Sequence, residues 1–65
     1  MKNKQVYTVQ DRIKQDIEYA KNIEDVTKKS LLATKALGAA DIAVEFGLIS
    51  YIEWENHIEN IFQMI

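Results

Sequence analysis

Glu53 and His57 stand four residues apart. On a helix that spacing puts a carboxylate and an imidazole one turn apart, where they can share a proton or a metal ion. Nothing else in the chain completes either chemistry. There is no cysteine, and His57 is the one histidine, whereas a zinc site draws three or four ligands from cysteine, histidine and carboxylate. Catalysis needs a nucleophile with a base beside it, or a glycine-rich phosphate loop. With two glycines in all, and the hydroxyl residues placed largely as helix caps, neither is available. No catalytic, cofactor-binding or metal-binding residue is assigned, and the chain reads as a non-enzyme. The Glu53–His57 pair reads as a surface ion pair contributing a few tenths of a kcal/mol.

The distribution of charge carries more information. Residues 1–35 hold all eight basic side chains and five acids, a net of +3, while residues 36–65 hold Asp41, Glu45, Glu53, Glu55 and Glu59 with no lysine or arginine, a net of −5. One-signed surfaces steer association with partners of opposite sign. Glu53, Glu55, Asn56 and Glu59 therefore form a candidate docking face for a basic protein surface.

These residues need elements to hold them, and the sequence points to three helices. Zero proline and two glycines leave the chain nearly unpunctuated, which suits long helices and disfavours a β fold with its frequent turns. Residues 1–8 read as a flexible arm and cap. Thr8-Val9-Gln10-Asp11 matches a capping box, and Ile13, Ile17 and Ala20 follow at helical spacing, predicting a helix over 9–21. Asn22-Ile23-Glu24-Asp25 suits the start of a second helix over 25–46, with Asn22 as a candidate cap. The alternative is one unbroken helix, because the seam from Ile13 to Val44 keeps spacings of 3 and 4 throughout. Gly47 falls where a left-handed helix terminator belongs. Ser50-Tyr51-Ile52-Glu53 forms a second capping box, with Ile49 and Trp54 placed as a hydrophobic staple, opening a helix over 51–64. Its apolar stripe reads as Trp54, Ile58, Ile61, Phe62 and Ile65.

The expected fold is all-α: a single three-helix antiparallel bundle, residues 1–65, with a long central helix. A core of 65 residues rarely supplies more than about 3–5 kcal/mol. Disulfides are excluded, and the central helix is apolar nearly all round, so homodimerisation is the expected staple. Leu32, Ala36, Ala39, Ala40 and Ala43 are the candidate self-association residues, since small self-complementary faces pack closely at a two-fold axis. Lys35, Asp41 and Glu45 interrupt the most apolar stretch, so no membrane span is expected. No signal peptide is visible after Met1, and the expected location is cytoplasmic.

Ala39 to Ile58 resembles a helix-turn-helix, with Ile42-Ala43, Phe46-Gly47-Leu48 and then a serine-capped helix. It departs by one residue, because the serine follows Gly-Leu-Ile. The helix in the recognition position offers Glu53, Glu55 and Glu59 and no cation, whereas DNA binding draws most of its affinity from lysine and arginine on phosphates. The leading expectation is a small protein-binding regulator or adaptor. The alternative is a nucleic-acid-binding transcriptional regulator.

Overall fold

The computed structural model describes residues 7–65, which form three α-helices: α1 (Val9–Lys21), α2 (Val26–Glu45) and α3 (Tyr51–Met64). No strand is present among the described residues, so the fold is all-α. Residues 1–6 of the expected N-terminal arm lie outside the described residues.

Local chemistry fixes each boundary. Thr8 is extended (φ −107°, ψ 169°); its hydroxyl accepts the Asp11 N–H at 3.1 Å, and the Asp11 carboxylate accepts the Thr8 N–H at 3.1 Å. This reciprocal box satisfies backbone donors that a helix start leaves free. Asn22 ends α1, its side-chain amide donating to the Glu18 carbonyl at 3.0 Å. The chain is therefore broken between the first two helices and not continuous. The cap of α2 differs from the one expected: Asp25 takes that position, accepting the Lys28 N–H at 3.1 Å. Asn22 is spent on the preceding helix end.

At the far end of α2, Gly47 adopts φ +73°. The Gly47 N–H donates to the Val44 carbonyl at 3.2 Å and the Leu48 N–H to the Ala43 carbonyl at 2.8 Å. These are the two bonds of a Schellman motif. Three residues later Ser50 and Glu53 form the second capping box. Ile49 is buried between the two signals, and Trp54 packs against the same core.

All three helices share one core, each touching both others. Ile13 and Ile17 enter from α1, Ala33, Ala36, Ala40 and Ala43 from α2, and Ile61 from α3. Alanine dominates the contribution of α2, and that has a consequence for the candidate site. Ala36, Ala40 and Ala43 were expected at a subunit boundary, yet they are 0–2% exposed within one chain. These three side chains belong to the core that α2 shares with α1 and α3.

The α3 stripe is also rotated from its expected position. Ile61 is buried with Trp54, Ile58 and Met64 partly covered, but Phe62 and Ile65 are exposed. His57 takes the inner place.

Candidate interaction surface

His57 is 2% exposed. Its Nε2 lies 2.6 Å from Oε1 of Gln10, in the first turn of α1. An amide oxygen only accepts, so with the amide in this orientation Nε2 carries the proton. Burial lowers the imidazole pKa below its ordinary value, Glu53 opposes that and Lys14 adds to it. The neutral ring ties α3 to α1. The expected surface pair with Glu53 is replaced by this arrangement, because the Glu53 carboxylate accepts the Ser50 N–H at 2.7 Å.

The acidic set divides accordingly. Glu53 is half-buried and engaged in its cap, while Glu55, Asn56 and Glu59 are exposed on the outer side of α3. Glu55 and Glu59 stand one turn apart and have no ion pair among the described residues, where the two bridges are Arg12–Asp16 and Lys21–Glu18 on α1.

The outer face of α2 carries the expected Ala39 together with larger residues outside the expected self-association set. Leu31, Lys35, Ala39, Ile42 and Phe46 follow one another at spacings of 4, 4, 3 and 4, and all are exposed. Leu31 is 65% exposed, Ile42 57% and Phe46 75%. Gly38 lies beside this stripe, and a Cβ built there meets nothing within 4 Å. Its absent side chain therefore serves no packing inside the chain, although glycine in a helix interior is about 0.8–1 kcal/mol less favourable than alanine. Of the expected self-association residues, Ala39 is exposed on this face and Leu32 is half-buried at its edge.

Two features border the stripe. Toward α1, Tyr19, Ile23, Lys28, Leu31 and Leu32 line an open groove of about 340 Å³. Toward α3, the Trp54 Nε1–H donates to Asp41 at 2.7 Å, and the Tyr51 and Trp54 rings sit 5.2 Å apart. Glu45 occupies the last turn of α2, where the helix dipole disfavours a carboxylate, and no basic residue shares that turn.

The signals that could have found this face were present in the sequence as the apolar residues all around α2. Their phase was hidden, because alanine and the larger aliphatic residues look equally suited to the inside. No helix among the described residues is long and apolar enough to cross a membrane. The chain matches no family model, and no curated protein or solved structure matches it.

Proposed function

We propose that this chain is a small non-enzymatic protein-binding regulator or adaptor that self-associates through α2 and engages a basic protein through α3. The observation that carries the reading is the exposure of Leu31, Ile42 and Phe46 along one side of α2 while its four buried positions are alanines. Large exposed apolar side chains gathered on one face mark interaction sites more often than ordinary surface does. The exposed Glu55 and Glu59, without a cation on the same helix, favour a basic protein over a phosphate backbone as the second partner.

The test joins sedimentation with binding. At micromolar concentration the wild-type chain is expected to sediment as a dimer. The double variant Glu55→Lys/Glu59→Lys is expected to keep the dimer and lose the protein that co-purifies from the native cell. A well-folded monomer at that concentration overturns the self-association, and retention of the partner by the double variant overturns the acidic docking face. Tight binding to random duplex DNA at low salt would favour the nucleic-acid reading instead.

A further inference from the structure

We infer that mild acid releases α1 from α3 while the corner between α2 and α3 stays closed, with protonation of His57 as the trigger. The release is independent of the self-association proposed above. It turns on the one buried polar side chain among the described residues.

Three features place the trigger at the α1–α3 seam. The first is the tie itself. Among the described residues a single side-chain hydrogen bond joins α1 to α3, between His57 and Gln10, and none joins α1 to α2. The second is access. A small cleft of about 100 Å³ runs beside His57, lined by Lys14, Ile17, Glu18 and Lys21 from α1 and by Asn60 from α3. That is room enough for water, so a proton can reach the ring before the seam parts.

The third feature is charge. Once protonated, the ring becomes a cation that is 2% exposed, and burial disfavours it. From α1 it faces Lys14, a like charge, while Glu18 and Lys21 in the cleft hold each other at 3.4 Å. On its own helix Glu53 attracts the cation, although that carboxylate already accepts the Ser50 N–H. From α2 the core receives alanines, Leu37 and Val44, and Asp41 is bound to Trp54. Burial, with Lys14 adding to it, outweighs Glu53, and the closed seam holds the imidazole pKa below its ordinary value.

The two helix junctions decide which side gives way. The Schellman bonds at Gly47, the Ser50–Glu53 box, buried Ile49 and the Trp54–Asp41 bond pin α3 to α2, and none of them involves His57. α1 joins α2 through residues 22–25 and is otherwise held by burial of Ile13, Ile17 and Ala20. Sub-global openings follow such seams of lower stability. Release of α1 uncovers Ile13 and Ile17 with the inner alanines, so acid adds an apolar face that the neutral molecule keeps hidden.

The pH dependence has a definite form. An open seam returns His57 to water and to its ordinary pKa of about 6.5. Above that pH both forms are neutral, and opening does not respond to pH. Below it the open form takes up one proton that the closed form does not. Opening then rises by at most about tenfold per pH unit and levels off once pH passes the closed-state pKa.

Residue-resolved amide hydrogen exchange on the full chain, corrected for the intrinsic pH dependence of exchange, reads this directly. Between pH 7.5 and 5, protection in α1 is expected to fall several-fold, beginning near pH 6.5. Amides of α2 and α3 on either side of Gly47 are expected to lose less. His57→Gln should hold α1 protection flat across the range. Lys14→Gln, at an exposed position, gives a second readout should the first variant fold poorly. With the like charge removed, the fall in α1 protection is expected to be smaller and to level off at higher pH. Identical curves for Lys14→Gln and wild type would overturn the charge mechanism. Protection in α1 that ignores pH overturns the trigger. Equal losses in all three helices, or a loss confined to α3, overturn the selective release of α1.

Discussion

Along α2, the side that meets α1 and α3 is built from Ala33, Ala36, Ala40 and Ala43, whereas the side that meets water carries Leu31, Ile42 and Phe46. A small globule ordinarily keeps its largest apolar side chains inside, since each one buried contributes about 1.5–3 kcal/mol. On α2 the fully buried positions are all alanine, Leu37 and Val44 pack beside them partly buried, and Leu31 and Ile42 stay exposed. The buried alanines let neighbouring helices approach closely, and Ile13, Ile17, Ile49 and Ile61, with Leu37, Val44, Trp54 and Met64 packed against them, fill the remaining volume. The outer residues stay more than half exposed. Hydrophobicity alone does not separate the two faces of α2, since large and small apolar residues occur on both.

The largest effect expected from this contrast comes from enlarging the inner face. Ala40→Leu introduces bulk at a fully buried position and should cost about 1–3 kcal/mol, a large share of the total available to so short a chain. Ile42→Ala, on the outer face, should change monomer stability by no more than about 0.5 kcal/mol. Urea titrations at concentrations low enough to keep the chain monomeric decide it; equal losses in both variants would erase the distinction between the faces.

The two glycines give a smaller contrast of opposite sign. Gly47→Ala forces a side chain into the left-handed region at φ +73°, with an expected loss of about 1–2 kcal/mol. Gly38→Ala places a methyl group in open space, and the same titration should show a gain of about 0.8–1 kcal/mol. A loss at Gly38 in the monomer would mean that its backbone is already closely approached from within.

The third prediction concerns pH and the seam between α1 and α3. Burial lowers the His57 pKa in the folded state, so below the ordinary histidine value the unfolded chain binds more protons than the folded one. Stability should be fully present above about pH 6.5 and decline as pH falls through the folded-state pKa. Thermal unfolding of wild type and His57→Gln across that range should show a steeper decline for wild type. Parallel curves would remove His57 from the account.

Much of the fold was legible because its signals are local. Thr8 with Asp11, Ser50 with Glu53, and Gly47 each act within a few residues, and the structure places all of them as the spacing predicts. The facing of α2 was not legible, because a helix apolar on all sides has no phase to read. The same limit hid the choice between Asn22 and Asp25 as a cap: both are good cap residues, and the distinction depends on where α1 stops. His57 illustrates a different limit. Its hydrogen-bond partner, Gln10, lies 47 residues away, so a window around His57 shows Glu53 and omits the contact that accounts for its burial. Of the candidate docking residues, Glu55, Asn56 and Glu59 were legible as a solvent face, whereas Glu53 served the cap that the same sequence announced.

The hydrogen bond from Trp54 to Asp41 joins α3 to α2 at one point, and Trp54 is the sole tryptophan of the chain. Its indole is therefore a built-in optical probe of a single joint. Emission should shift when α3 detaches from α2, whatever happens at the α1–α2 junction, while far-ultraviolet circular dichroism follows all three helices together. A mismatch between the two signals during unfolding would reveal α3 leaving first, and coincident curves would show that the corner at Gly47 opens only when the whole molecule does.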